Sequence, residues 1–310
     1  MKISYTAPAK VILSGEHAVV FGKPALVSTI NLKLKFSVWD EKCLVTEKNI
    51  LLISRKVKDF LRKTKIIFSE KPFNFKIESE VPVGRGLGSS AALSVAAVAT
   101  FLEFYTGRQF EKKIINDLAY QIEKIFHKNP SGVDNTAVCF GGLILYHRKI
   151  NSLKYINNLN YKITDDLEKK LYLIDSGKPT EKTAKMVNSV AKLHDKAPRL
   201  TNIILNDIEK TTNKIKISLM KKDAISFKKS LVVNELLLEK LNVVSKKTRI
   251  LLTELSKFGV GKITGAGGKK TDSGFILFLS DDKVKLEEFL KNRKISFYKF
   301  SQDTDGLNKL

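Results

Sequence analysis

One stretch, residues 81–93 (VPVGRGLGSSAAL), narrows what this chain can fold into more than any other. It follows an apolar run at 73–77 and opens an Ala-rich segment at 91–104 with helical spacing. Gly84, Gly86 and Gly88 let the backbone turn tightly and direct its N–H groups at an anion, and the positive end of the following helix adds to the attraction. Ser89 and Ser90 are expected to cap that helix, and one hydroxyl can reach a Mg2+ ion. The loop lacks the Lys of a Walker A sequence, and the acidic ribose partner of a dinucleotide fingerprint is missing. On this segment alone, an ordinary Gly-rich helix cap is the alternative to a phosphate site. Either way the chain needs both strands and helices.

The rest of the chain agrees with a mixed fold. Residues 10–13, 25–30, 32–39, 73–77 and 142–146 read as strands, and 51–62, 91–104 and 111–126 as helices. Residues 151–167 are polar and Asn-rich with little apolar periodicity, which marks a boundary. Beyond it we expect a strand at 171–174, helices at 182–194, 200–221, 224–241 and 246–257, and strands at 261–264 and 274–279 around a Gly-rich turn. A helix at 283–292 and a strand at 295–300 follow. The expected organisation is α+β with two domains, 1–165 and 166–310.

Charge and composition exclude several classes of function. With 43% hydrophobic residues the chain can bury a large core, so disorder is excluded. Fifty-five Lys and Arg against 32 Asp and Glu give a net charge of +23. The lysines are scattered as doublets rather than gathered in a block, and Lys far outnumbers Arg, which argues against specific nucleic-acid binding and suits small anionic ligands. Cys43 and Cys139 lie far apart, so neither a disulfide framework nor a zinc ribbon is expected, and a cytoplasmic location fits. The opening MKISYTAPAKVILSGEH has no apolar signal-peptide core. Residues 87–104 include Ser89, Ser90, Ser94, Thr100 and Glu103, so they read as a buried soluble helix and no membrane contact is expected.

Three further constellations carry chemistry. Lys10 starts an apolar strand, where a lysine is rare unless it meets an acid or a phosphoryl group, and Glu16-His17 sits in the turn that follows. Glu123 near a helix end and Asp134 after a Pro-Ser-Gly turn flank one loop. They can serve as metal ligand and hydroxyl-orienting base, or as a solvated helix charge and a helix N-cap. Residues 262–268 (KITGAGG) place glycines between two strands where backbone can approach a ligand, and 175–180 (DSGKPT) form a polar loop after a strand.

Taken in order, these segments resemble the GHMP kinase superfamily of small-molecule kinases, its mevalonate kinase branch in particular. The resemblance rests on residues 8–25 (PAKVILSGEHAVVFGKPA), 86–91 (GLGSSA), 127–135 and the pair Gly141-Gly142. It implies an N-terminal domain related to ribosomal protein S5 domain 2, a ferredoxin-like C-terminal domain and an active site in the cleft between them. It also implies transfer of the γ-phosphoryl group of ATP to the 5-hydroxyl of mevalonate. In that scheme Asp134 accepts the hydroxyl proton, Lys10 steadies that Asp and the developing phosphoryl charge, and Ser90 and Glu123 hold Mg2+. Gly84, Arg85, Gly86, Leu87, Gly88, Ser89, Ser90 and Ala91 cradle the phosphates with Ser79 nearby. Glu16 and His17, with Lys178 and Thr180, line the acceptor pocket. Homodimers are common in the superfamily.

The pattern departs from the family at Ala9 and Lys128, often Gly, and more strongly after Gly268. There Lys269-Lys270-Thr271-Asp272-Ser273 replace further glycines. That loop can reposition a phosphate contact, weaken nucleotide binding or add two lysines to an anionic site. Alternatives to the mevalonate reading are another GHMP kinase, acting on phosphomevalonate or a sugar, and a non-catalytic basic binding protein. The joint presence of Lys10, Glu123 and Asp134 argues against the last.

Overall fold

The computed structural model describes residues 2–127, 130–148 and 154–310, so Lys128 and residues 151–153 of the expected boundary lie outside the described residues. The chain starts with a long antiparallel pair, β1 (Lys2–Ser14) and β2 (Ala25–Trp39), joined by a turn containing a short 3-10 helix at Ala18–Phe21. The two runs expected at 25–30 and 32–39 are one strand. The break lies instead in the pairing, where Pro8 faces Lys33 but Ala9 faces Ile30, a bulge that leaves the Asn31 amide to the Ser301 carbonyl at 2.8 Å.

Helix α1 (Lys48–Lys63) buries Ile50, Ile53, Val57 and Leu61, a stripe at helical spacing. The strand β3 (Asn74–Ser79) then pairs the distal half of β2. Helix α2 (Ser89–Thr106) is apolar enough, by length and composition, to cross a membrane, but it is buried nearly all round against β1, β2, α3 (Lys112–His127) and α4 (Val133–Phe140). It is the core helix of this half. The strand β4 (Leu143–Arg148) pairs the proximal half of β2, and β5 (Lys154–Leu159) pairs β4.

The polar stretch expected as a boundary therefore contains β5 and a short helix, α5 (Asp165–Glu168). Because β5 is an edge strand with a single strand partner, it lacks the apolar alternation of an interior strand. Helix α4 was also missed, since eight residues after a Pro-Ser-Gly turn are too few to show a periodicity.

A second, four-stranded antiparallel sheet contains β6 (Leu171–Asp175), β7 (Gly259–Ile263), β8 (Phe275–Ser280) and β9 (Phe297–Lys299) in the order β7-β8-β6-β9. Helices α6 (Thr183–Lys196), α7 (Pro198–Met220), α8 (Ala224–Lys240), α9 (Lys246–Leu255) and α10 (Lys283–Asn292) accompany it. The last strand, β10 (Asn308–Lys309), returns to pair β1 at Tyr5 and Thr6. The architecture is α+β with two sheets. A division at 165/166 remains our proposal; it separates the two sheets apart from β10.

Phe101 on α2 anchors the larger core: it is fully buried, with ring centroids 5.6 Å from Phe36, 4.9 Å from Phe73 and 5.8 Å from Tyr105. Phe101→Ala is expected to cost about 3–5 kcal/mol in urea unfolding. A loss under about 1 kcal/mol would place the stabilising core elsewhere.

Candidate active site

The glycine-rich loop is stitched to β1 by a hydrogen bond from the Lys10 amide to the Leu87 carbonyl at 3.0 Å. The helix-cap expectation for its serines is corrected by the structure. Gly88 is the N-cap, with φ of 79° and no side-chain cap, so Ser89 and Ser90 already lie in the first turn of α2. A left-handed backbone at that position favours glycine, and a Cβ there would also lie 2.9 Å from Lys10 Cγ. The missing side chain at Gly88 is what lets the Lys10 stem pass beneath the loop.

Lys10 is buried, and its Nζ lies 3.1 Å from Asp134 Oδ1. Asp134 is the second residue of α4; Gly132, not Asp134, is that helix's N-cap. Its carboxylate sits at the positive end of the helix and keeps 40% of its side-chain surface exposed, so it can meet a substrate while paired. Glu123 on α3 is 4% exposed, which excludes the solvated-charge reading. It accepts a hydrogen bond from the Ser94 hydroxyl at 3.0 Å and another from Ser90. Burial pushes its carboxyl up to about 7; nearby Asp134 adds to the rise, while the two hydroxyls and Lys10 oppose it. Lys10, Ser90, Glu123 and Asp134 thus converge from β1, α2, α3 and α4. Ser94 is an addition to the expected set, readable as the residue one helical turn beyond Ser90.

The 262–268 segment forms the opposite wall. Thr264 Oγ1 accepts from the Ile12 amide at 2.9 Å and donates to the Ile12 carbonyl at 3.2 Å. The Thr264 carbonyl comes so close to the phosphate loop that a Cβ on Gly86, whose φ is 91°, would lie 2.9 Å from it. Lys262 is fully buried, paired with Glu16, and donates to the Ile12 carbonyl at 3.2 Å. Glu16 is 1% exposed, and burial pushes its carboxyl up against the pull of Lys262. It is an internal partner of β7 rather than an open wall of the cleft.

His17 takes a left-handed backbone (φ 59°), and its Nε2 lies 3.1 Å from the Ala266 carbonyl. A carbonyl only accepts, so Nε2 carries the proton and Nδ1, which has no partner among the described residues, is left as an acceptor. Burial pulls the imidazole pKa down to about 4, and Lys269 lowers it further against the Ala266 hydrogen bond.

The remaining expected residues divide. Arg85 pairs with Asp175, and its carbonyl accepts from the Phe275 amide at 3.4 Å. Lys178 lies at the mouth of the phosphate loop, its Cε 3.1 Å from where a Cβ on Gly84 would sit, and not beside His17. Thr180 is exposed and bonds Glu181 at 3.0 Å. Ser79 ends β3, where its hydroxyl accepts from the Val81 amide at 3.1 Å, a bond within its own strand end. Among the described residues no group of three His, Cys, Asp or Glu forms a metal cluster.

The family of GHMP kinases N terminal domains matches residues 52–142. The mevalonate kinase of Archaeoglobus fulgidus is 30% identical over 308 residues, covering 91% of this chain and 99% of its own. That of Methanothermobacter thermautotrophicus is 29% identical and covers 86% of this chain and 88% of its own. The crystal structure of the Methanococcus jannaschii mevalonate kinase superposes with a TM-score of 0.79 at 24% identity, over 97% of this chain and 98% of that one. The chain belongs to the GHMP kinases, and is a phosphotransferase with an alcohol acceptor. Within that superfamily it is most like the mevalonate kinases.

The His17 environment sets a pH dependence. Because the folded-state pKa lies below the usual value of 6.5, the folded protein holds His17 neutral, and the associated stability is present above pH 6.5 and lost as pH falls towards 4. Relative to His17→Gln, the wild type is expected to lose on the order of 3 kcal/mol between pH 7 and pH 4 in urea unfolding. Parallel pH profiles for the two proteins would refute the neutral buried imidazole.

Proposed function

We propose that this protein transfers the γ-phosphoryl group of ATP to the 5-hydroxyl of mevalonate, giving 5-phosphomevalonate and ADP. The observation that supports this most is the 3.1 Å pair of Lys10 and Asp134 directly under the glycine-rich loop, with Asp134 open to the cleft. Asp134 accepts the proton of the attacking hydroxyl as its oxygen bonds to the γ-phosphorus and the bond to the β-phosphate oxygen breaks. Lys10 holds Asp134 in place and offsets negative charge on the transferring group, while backbone N–H groups of residues 84–91 and the α2 N-terminus receive the phosphates.

The donors around Glu123 are all oxygens, two carboxylates and two hydroxyls, which suits a hard cation. Ser90 and Glu123 would hold Mg2+, which when bound neutralises charge on the phosphates. In this reading His17, whose buried Nδ1 has no partner among the described residues, belongs to the acceptor side, and Lys178 adds positive charge at the phosphate end. The location we propose is cytoplasmic, in keeping with two unpaired cysteines.

A phosphorylated acceptor is the second reading, and Lys269 is the observation that favours it. Its ammonium bonds Ser189 on α6, and its charge bears on His17, so it adds positive potential on the acceptor side. ADP release measured with Mg-ATP and mevalonate, 5-phosphomevalonate, galactose or homoserine decides between them. Turnover on mevalonate is expected, and turnover on 5-phosphomevalonate alone would select the second reading.

With the preferred acceptor, Asp134→Asn is expected to lower kcat roughly 10²–10⁴-fold while ATP still binds in calorimetry. Unchanged turnover would exclude Asp134 as the base. Lys10→Met is expected to reduce kcat far more than it raises KM for ATP; the reverse split would make Lys10 a ground-state phosphate contact.

A further inference from the structure

The segment of β1 that carries Lys10 is not held by its own sheet alone. The β1–β2 register slips between Ile12, which faces Val27, and Ser14, which faces Leu26. At that slip the Ile12 backbone turns to the other half of the molecule. Its amide is taken by Thr264, and its carbonyl by Lys262 and Thr264. The Ile12 side chain packs in one cluster with Val133 and Ala137 of α4, the helix that carries Asp134. Ile12 therefore touches the elements bearing both members of the Lys10–Asp134 pair.

Lys262 lies near the end of β7, an edge strand of the second sheet, and Thr264 directly follows that strand. The Ile263 amide between them faces away from β8, where a buried N–H costs free energy unless something accepts it. Glu235, on α8 and 6% exposed, accepts it through Oε2 at 2.8 Å. Its other oxygen, Oε1, is buried and has no hydrogen-bond partner among the described residues. Since Lys262 already has Glu16, the Glu235 carboxyl has no cation of its own to balance. Burial pushes it up to about 7, against the Ile263 amide and Lys262. What the site uses is its hydrogen-bond acceptor, and an uncharged amide of the same shape keeps that acceptor.

We propose that Glu235 is a positioning residue for phosphoryl transfer: by holding the Ile263 amide it fixes Lys262 and Thr264, which hold Ile12 and so the strand segment of Lys10. Only the kinetic arm of this inference rests on the kinase reading. The structural arm is hydrogen exchange at the Ile12 and Ile263 amides of the full chain, which needs no substrate. If the wild type turns over no acceptor, the kinase reading falls and exchange alone decides the inference.

In Glu235→Leu, both amides are expected to exchange about tenfold faster or more, while α2 core amides are unchanged. Its kcat should fall roughly 10- to 100-fold, with KM for ATP little altered. Glu235→Gln is expected to restore slow exchange and bring kcat to within about threefold of wild type. Three results would overturn the proposal: a folded Leu variant with wild-type exchange and kcat, a uniform acceleration across all core amides, or a Gln variant as impaired as the Leu variant. Should the Leu variant not fold, Glu235→Asp takes its place, because retracting the carboxyl by one methylene must also speed Ile12 exchange. Wild-type exchange there overturns the proposal equally.

Discussion

Two lysine ammonium groups, Lys10 and Lys262, are taken almost wholly out of water, and each is met by a carboxylate brought from elsewhere in the chain. Asp134 reaches Lys10 from the start of α4, and Glu16 reaches Lys262 from the turn after β1. A buried pair of this kind adds little net stability, because desolvation offsets most of the attraction. Losing one partner of Lys262–Glu16, which lies wholly out of water, is another matter, since the remaining charge is left uncompensated at a cost of about 3–5 kcal/mol. The pairs therefore act on arrangement more than on overall stability. Lys262–Glu16 ties the second sheet to the first strand, and Lys10–Asp134 ties that strand to α4 beneath the phosphate loop. Any packing of the two halves that separates Lys262 from Glu16 carries that penalty.

The same matching explains how a chain of net charge +23 keeps a selective site. Arg85 is spent on Asp175, and Lys247 meets Asp272 at 2.7 Å. Beneath the loop the charge of Lys10 is met by Asp134, so in the function proposed an anion would meet oriented N–H groups and a helix end first. The scattered surface lysines supply a long-range field that draws anions towards the molecule. Surface pairs such as Lys210–Asp207 lie in water and contribute little to stability. Attraction at a distance and recognition at contact are thus handled by different groups.

Legibility followed locality. The glycine-rich loop and its helix were readable because the demand for glycine is local: Gly88 caps α2 with φ of 79°, a backbone that favours glycine. Lys10 was readable as an anomaly, a charge in an apolar strand. Its partner Asp134 was legible only through the family resemblance, since spacing along the chain gives it no reason to be anything but a helix cap and the packing of α4 against β1 is what brings it to Lys10. The serines misled in the opposite sense. They have capping chemistry, but the turn at Gly88 moved the helix start past them and freed Ser90 for Glu123. The resemblance puts Glu16 in the acceptor pocket, and nothing near it in sequence signals its buried partner, Lys262, 246 residues away. The weak apolar pattern at 154–159 concealed β5 because an edge strand does not need a buried face on both sides.

The loop after Gly268 shows how the site tolerates its largest departure from the family pattern. Where further glycines would leave backbone freedom, this chain places side chains that hold the loop by specific bonds. Ser273 donates to the Gly268 carbonyl at 3.2 Å and accepts from the Ser245 amide at 3.0 Å, Asp272 takes Lys247, and Lys269 reaches Ser189. These bonds tie the loop to α9 and α6 and close it on its own start at Gly268. The two ends of the loop still meet the glycine-rich segment, through Thr264 and Gly265 against Gly86 and through Gly274 against the Arg85 carbonyl. The loop after Gly268 thus bears on His17 through the charge of Lys269, and on the glycine-rich segment through Gly274 at the Arg85 carbonyl.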